Sequence, residues 1–538
     1  MKNILFFLLL PFILISQEDQ IFIDGIFNDW NNINNYNDDV ETIENGTDFT
    51  NISVTNDSDY LYIKFETSGE IDLSDGDYNI ELMIDTDNNN LTGYQPSFNT
   101  NIGVEIGIMF NQKFIWYNTP EANLQLSLYD IGVYPAPTVT SNEFEIAIDL
   151  NAQYNGVSLF QNSELKIQMR DLDSEDNIPN NNSEIIYNIN PISSNDTNIN
   201  INKDYSQLIR LTAYNLWNDG FEDAERLPQL KSILQTLDSD IFAFSECWDT
   251  NEETVKNILD VVIPLENNNG WMVIKKENDD LIIASKYPII EQWNNEENGI
   301  QNMQPCLIDL PDDIYAKDLL IINSHMSCCS KDSLRQIQAD NFVNFILDAK
   351  SEGGVIDLVE GTPFVLCGDL NLVGFSQQIT TLLTGEIINT DVFGSGGGMN
   401  WSNNNLKDQI CFNTSSPLSY TWRDLTPSTG SYPYGRLDFI IFSDDVMSAQ
   451  KSFSLDTQKM TQGQLNSNNL DNYDSVASDH LAITTDFAIP LILSGQKEYH
   501  WFKKILNKIN FIGQNTKQKN LTLEVYDDGS TLKKYIIE

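Results

Sequence analysis

The residues able to do chemistry in this chain are few, and they stand in short polar clusters directly beside apolar runs. Pro363-Phe364-Val365-Leu366-Cys367 leads into Gly368-Asp369-Leu370-Asn371, which reads as a buried strand ending where a carboxylate and an amide emerge together. A strand end holds metal- and phosphate-binding groups rigidly, and the glycine lets backbone turn or a ligand approach closely. Alone, the motif also fits an Asx turn closing a core strand, in a chain with 79 Asp and Glu. Its partners decide between the two. Asn215 closes the run from Ile209, Glu246 follows Ile241 to Ser245, and Asn323-Ser324-His325 ends the run from Leu319. Arg436-Leu437-Asp438 opens a further apolar run, and Ser478-Asp479-His480 precedes the last one. The chain has only three His, and two of them occupy such strand ends, which weighs more than any of its many acids.

The order Asn215, Glu246, His325, Gly368-Asp369-x-Asn371, Asp438, Ser478-Asp479-His480 resembles the endonuclease/exonuclease/phosphatase superfamily over about Leu208 to Pro490. The resemblance implies a four-layered α/β sandwich with two central mixed sheets and a site at their shared edge. Glu246 and Asn215, with Asp479, then offer hard oxygens to Mg²⁺ or Mn²⁺. Asp438 orients His480, and the general base is either His480 or Asp369. Asn371, Asp479 and His325 orient and stabilise the phosphoryl group, with His325 also able to protonate the leaving oxygen. Arg423, in Thr421-Trp422-Arg423, and Arg436 are expected to contact phosphate. A His at position 325, where apurinic-site endonucleases carry Tyr, points to the deoxyribonuclease, sphingomyelinase and lipid-phosphatase branches.

These residues need a layered α/β frame, and the pattern from residue 208 onward supplies one. Strands are expected at Ile209 to Tyr214, Asp240 to Ser245, Leu281 to Ala284, Leu319 to Ser324, Phe364 to Cys367, Leu437 to Phe442 and Ala482 to Phe487. Helices are expected at Glu225 to Leu237 and about Asp332 to Lys350. Upstream, from about residue 17 to 187, short alternating runs such as Leu61 to Phe65 and Phe144 to Ile148 are separated by Asn/Asp/Gly/Ser turns, which predicts an all-β sandwich. Ile23-Asp24-Gly25 with Asp29-Trp30, and Met83 to Asn88 with Thr92-Gly93-Tyr94, resemble the family-9 carbohydrate-binding modules and their DOMON-like relatives. This implies a β-sandwich that binds glycan or spaces the next domain. From their own chemistry, Trp30 and Trp116 are sugar-stacking candidates, and the hard oxygens of Asp85-Thr86-Asp87 are a Ca²⁺ candidate, where a solvated hairpin turn is the alternative. Residues 188–207 read as a linker.

The ends and the charge bound the setting. Lys2 and the apolar run Ile4 to Ile15 predict a signal peptide over residues 1–16, too short to span a bilayer. Residues 491–538 carry eight Lys against five acids from Lys497 on, in a chain of net charge -49. Lys504 to Asn507, Ile512-Gly513 and Tyr526 to Ser530 with Lys533-Lys534 resemble the type IX secretion sorting domain, which implies a small β-domain read by the secretion machinery. Secretion to the medium or cell surface, without stable membrane insertion, follows from the two. Six Cys in 538 residues are too few for a disulfide framework. Cys247 and Cys367 read as buried thiols, while Cys328 or Cys329 could reach Cys306 or Cys411. The absence of C-x-x-C and of clustered His argues against a zinc site.

Taken together, the sequence predicts a secreted, divalent-metal-dependent phosphoester hydrolase, first of all a phosphodiesterase cleaving extracellular nucleic acid. Hydrolysis of phospholipid or small phosphoesters is the alternative, and a catalytically idle glycan-binding scaffold is the alternative of another class. The acidity disfavours a polyanion, leaving Lys275, Lys276, Arg335, Arg423 and Arg436 as the candidate cationic track.

Overall fold

The computed structural model describes residues 20–41, 43, 45–74, 76–190, 197–266, 270–293, 303–354 and 356–492. It also describes the backbone of three further strands, Ile505–Ile509, Thr522–Tyr526 and Thr531–Lys534, which pair as an antiparallel sheet. The expected signal peptide lies outside the described residues. Among the described residues, no helix is long and apolar enough to cross a membrane.

Residues up to 190 form two antiparallel sheets of five and seven strands and a short hairpin, Gln153–Tyr154 with Val157–Ser158. Alternation in the strands Tyr60–Ile71 and Ser141–Asp149 sends Leu61, Ile63 and Phe65 and, opposite them, Phe144, Ile146 and Ile148 into one core. Leu82, Ile84, Ile108, Ile115 and Ile167 of the other sheet complete that core. Trp30 is buried and donates its indole N–H to Glu145 Oε2 at 2.9 Å, so it is spent on packing and cannot stack on a sugar. Trp116 is half-buried and meets Phe114 edge-on.

The second half is built on two six-stranded sheets, each with one parallel pair at its middle. In the first, Ile209–Asn215 runs parallel to Ile241–Ser245, flanked by Ile282–Ser285 and Ile483–Ala488. In the second, Leu319–His325 runs parallel to Phe364–Asp369, flanked by Met303–Ile308 and Asp438–Phe442. Ile241–Ser245, Leu319–His325 and Phe364–Asp369 read as nearly continuous apolar runs because both faces are covered, while Ile209–Asn215 and Ile483–Ala488 bury Arg210 against Asp486 and Thr212 against Thr484. Leu211, Ala213, Ile321, Val365 and Ile440 meet between the sheets. The opposite face of the first sheet packs Phe242 and Phe244 against the helices Leu227–Leu237 and Glu252–Val262. That of the second packs Ile322, Phe364 and Leu366 against the helix Asp332–Ala349.

The expected linker is not uniformly loose. Ile199 donates its backbone N–H to Thr414 at 3.0 Å, and Ile201 is buried in the core that covers the outer face of the first six-stranded sheet. The two halves also meet directly. Ile23 bridges to Leu418, Tyr134 stacks on Tyr420 with ring centroids 5.6 Å apart, and Val139 bridges to Gly374. All six cysteines are free thiols; Cys306 and Cys411 are buried between the sheets while Cys328 and Cys329 are exposed, so the pairings considered above do not form.

Candidate active site

Parallel pairing puts the C-terminal ends of both strands of a pair at the same edge of their sheet. Asn215 stands in register with Ser245, just before Glu246, and His325 stands in register with Asp369. Asp438 opens an antiparallel strand directly opposite Asp369, and His480 lies just ahead of the strand Ile483–Ala488. Four strand ends and two strand starts therefore deliver the predicted residues to one place.

Gly368 makes the central approach possible. Its φ is +125°, and a Cβ there would lie 2.1 Å from the carbonyl oxygen of Ser324, so no side chain fits. Asp369, which follows it, is 2% exposed. The Asx turn is present as well: Asn371 N–H donates to Asp369 Oδ1 at 3.0 Å, with Asn371 at φ +48°. The Asn371 amide donates to Met326 O at 3.0 Å, which ties the Asp369 loop to the one following His325. Arg335, fully buried, clamps the same loop through the carbonyls of Ser327 and Cys329.

Asn215 links the two sheets. Its amide donates to Glu246 Oε1 and to Asp369 Oδ2, each at 3.0 Å, while its Oδ1 accepts the Trp217 N–H at 2.9 Å. Glu246 stands at φ +57° and its Oε2 accepts the Asn218 N–H at 2.7 Å. Asp479 Oδ2 accepts the indole N–H of Trp422 at 3.1 Å, and its buried Oδ1 has no hydrogen-bond partner among the described residues.

The two imidazoles are arranged alike. His480 Nδ1 is 2.8 Å from Asp438 Oδ2, and its Nε2 is 3.6 Å from Asp369 Oδ2. His325 Nδ1 is 2.5 Å from Asp280 Oδ2, and its Nε2 is 3.6 Å from the same Asp369 oxygen. Asp280 was not among the predicted residues. It is 1% exposed, precedes the strand Ile282–Ser285, and its Oδ2 also accepts the Glu246 N–H at 2.9 Å. Burial works against charge on both rings, but the surrounding carboxylates outweigh it. Asp438 and Asp369 push His480 up to about 10, and Asp280 and Asp369 push His325 up to about 9. Burial raises Asp369 to about 6, against the pull of the imidazoles.

Two groups of donors could hold a cation here. Ligand atoms of Glu246, His325 and Asp369, and likewise of Asp369, Asp438 and His480, lie within 4.8 Å of one another. Oxygen donors from buried carboxylates fit a hard divalent ion. Asp479 belongs to neither group, and Asn215 turns its amide N–H₂ toward the carboxylates rather than its oxygen.

A family model described as the Endonuclease/Exonuclease/phosphatase family matches residues 212–480, half of the chain. The chain belongs to the endonuclease/exonuclease/phosphatase family. It is accordingly a phosphoester hydrolase, which sets aside the idle-scaffold alternative. Family enzymes of this kind are generally divalent-metal dependent. No curated protein matches the chain. Among solved structures it is similar to a humanized D. rerio TDP2, with 15% identity over 53% of this chain and 100% of that one, at a TM-score of 0.33. The human Nocturnin catalytic domain with bound sulfate matches at 15% identity over 53% and 96%, with a TM-score of 0.33. ANGEL2, a 2',3'-cyclic phosphatase, in complex with adenosine-2',3'-vanadate, matches at 14% identity over 53% and 97%, with a TM-score of 0.36.

The arginines expected at the phosphate are engaged elsewhere. Arg423 is 3% exposed and donates to Asp456 and Ser475 at 3.0 Å, and Arg436 forms a two-pronged pair with Asp408 at 2.7 and 2.6 Å. Lys275 is bound to the carbonyls of Trp248 and Thr250, Lys276 pairs with Asp279 at 2.6 Å, and Arg335 is buried. The expected cationic track is therefore a set of structural ion pairs and loop clamps.

Proposed function

We propose that the chain is an exported, divalent-metal-dependent phosphodiesterase that cleaves extracellular nucleic acid. The observation that carries the hydrolytic part is the pair of imidazoles, each anchored at Nδ1 by its own carboxylate and each holding Nε2 3.6 Å from one Asp369 oxygen. Glu246 and Asp369, with His325 beside them, would hold Mg²⁺ or Mn²⁺. Such an ion, when bound, polarises a phosphoryl oxygen and offsets developing negative charge.

The chain's own groups account for the proton traffic. Asp369 and His480 act as one acid–base unit across 3.6 Å, which accepts the proton of the attacking water. Asp438 fixes the His480 ring so that Nε2 faces the reaction. His325, held by Asp280, presents an N–H to the phosphoryl group and can give its proton to the leaving oxygen. Asn371 positions this face by bracing the loop after His325. The layered reading of the domain, helices outside and two sheets within, gives these groups their rigid edge.

Two exposed rings support nucleic acid as substrate. Trp217 follows Asn215 by two positions and is 40% exposed; Trp248 follows Glu246 by two and is 54% exposed. Such rings stack on bases of any identity, which a site without a cationic track needs. The engaged arginines and lysines favour a second reading, hydrolysis of a small or lipid phosphoester with little negative charge. Export rests on the apolar run Ile4 to Ile15 and on the basic C-terminal segment. The test incubates the protein with Mg²⁺, with and without EDTA, against single-stranded and duplex DNA, RNA, sphingomyelin and a bis-aryl phosphate. EDTA-sensitive cleavage of nucleic acid is expected. Cleavage of sphingomyelin alone would replace the substrate assignment, and EDTA-resistant activity would remove the metal.

A further inference from the structure

The acidic turn of the sandwich domain has no part in the hydrolytic site, yet it is built around an unsatisfied oxygen. Asp85 ends the strand Ile80–Asp85 fully buried, and accepts the backbone N–H groups of Asn89 and Gly103, each at 3.2 Å. Asp87 is half-buried and accepts the Thr92 hydroxyl at 3.0 and 2.9 Å. Glu105, ahead of the neighbouring strand Ile106–Met109, is 8% exposed. One ligand oxygen from each of the three lies within 4.8 Å of the others.

The independent observation is Glu105 itself. Its Oε2 accepts the Thr86 N–H at 2.9 Å, while its buried Oε1 has no hydrogen bond of ordinary length among the described residues, the nearby Thr92 hydroxyl being directed at Asp87 and the Asn89 carbonyl. That oxygen lies against the acidic loop: a Cβ on Gly93, at φ +62°, would stand 2.7 Å from it. Positive charge nearby is short. Lys166 Nζ is 3.7 Å from Asp85 Oδ2 and is itself donating to Asn101 O at 2.8 Å. Asp85, Asp87 and Asn89 follow one another at alternate positions, the spacing with which a loop presents successive oxygens to a hard cation. A distant acid completes such a set, and Glu105 is placed to do so.

We propose that Asp85, Asp87 and Glu105 form a Ca²⁺ site in the sandwich domain. Carboxylate oxygens on a loop of irregular backbone suit the variable coordination of Ca²⁺ better than the strict octahedron of Mg²⁺. The ion ties the end of one core strand to the start of its neighbour, since Ile84 and Ile106 are paired. The site stands apart from the proposed hydrolysis and does not depend on it.

The test uses the full chain after EDTA treatment and dialysis, titrated with CaCl₂ in a calorimeter and, separately, with Tb³⁺ read by luminescence sensitised through nearby tyrosines. Three variants are compared: Glu105→Gln, Asp87→Asn and, in the hydrolytic site, Glu246→Gln. Saturable binding below about 1 mM is expected for the wild type and for Glu246→Gln, with at least tenfold weaker binding in the two sandwich variants. Asp87 is half-buried, so its variant reports even where Glu105→Gln fails to fold. Phosphodiesterase activity of Asp87→Asn in Mg²⁺ should stay within twofold of wild type. Binding lost only in Glu246→Gln, no binding at about 1 mM, or tighter binding of Mg²⁺ than Ca²⁺ each overturns the assignment.

Discussion

Asp438 and Asp280 play the same part for two different imidazoles, and each can be tested through its ring. With Asp438 charged, the imidazolium form of His480 is favoured, so in metal-free protein the ring should stay protonated up to about pH 10. Replacing Asp438 by Asn removes that charge and should move the ring titration downward, read by NMR of the His480 ring protons. The same variant should lose about 10²- to 10⁴-fold in turnover, because the ring loses its orientation and its basicity. A titration that does not move would detach His480 from Asp438. Asp280→Asn should cost about 10- to 100-fold, as removal of a group that orients a site residue does, with the loss falling on turnover rather than on substrate affinity. The difference between the two acids is also a difference in legibility. Asp438 stands at the start of the apolar run Phe439 to Phe442, directly after Arg436-Leu437, and so reads as a strand-end acid. Asp280 sits in Asn278-Asp279-Asp280, which in a chain this acidic reads as one more solvated turn. Only the fold brings it 2.5 Å from His325. Arg423 and Arg436 failed for the converse reason: a motif-adjacent arginine is as useful to a buried aspartate as to a phosphate, and sequence cannot say which it faces.

The elements divide the same way. Strands covered on both faces, such as Leu319–His325 and Phe364–Asp369, are apolar up to their polar C-terminal ends and are legible to within a residue or two. The outer strands Met272–Lys275, Ile289–Gln292 and Ser448–Ser454 are not, because a partly solvated edge strand carries too few apolar residues to announce itself. The helix Glu252–Val262 was also missed, although Asn251 caps it through the Thr254 N–H and Glu252 and Glu253 follow in its first turn. Within the central strands one position has no latitude. Gly368→Ala would set a Cβ 2.1 Å from Ser324 O, at a φ that side chains rarely adopt, so the parallel pair must open. A loss of about 3 kcal/mol or more is expected in denaturant unfolding, with turnover falling alongside it as Asp369 leaves register with His325. Gly76→Ala, exposed, with nothing near its Cβ and no positive φ, serves as the exposed-loop control. The same layers protect the thiols. Burial pushes Cys411 up to about 12 and raises Cys247, Cys306 and Cys367 as well. An alkylating reagent near pH 8 should therefore label Cys328 and Cys329 in native protein, and all six thiols only after denaturation.

At the scale of the whole molecule, charge and site pull in opposite directions. The chain carries a net charge of -49, and the cations nearest its motifs are taken up by Asp456, Asp408, Asp279 and backbone carbonyls. The sandwich adds no relief at the junction: Lys459 is held between Tyr60 and Tyr134, donating to Tyr134 at 2.8 Å. Composition alone made this acidity plain, whereas the seam between the two halves was not legible, since Ile23, Tyr134 and Leu418 read as ordinary strand residues until the chain folds. A nuclease that binds through a basic groove loses affinity as salt rises, because counterions released into a saltier solution gain less entropy. Here the dominant long-range term between enzyme and polyanion is repulsion, and added salt screens it, with a Debye length falling from about 30 Å at 0.01 M to about 8 Å at 0.15 M. The kcat/KM for an oligonucleotide, at fixed Mg²⁺, should therefore rise as KCl is raised across that range, chiefly through KM. A zwitterionic or small singly charged phosphodiester should show little change over the same range. A falling profile with the oligonucleotide would mean that a basic track exists after all. A rising one would leave stacking on Trp217 and Trp248 as the main source of grip on the substrate, and alanine at either ring should then raise KM by about tenfold while leaving kcat in place.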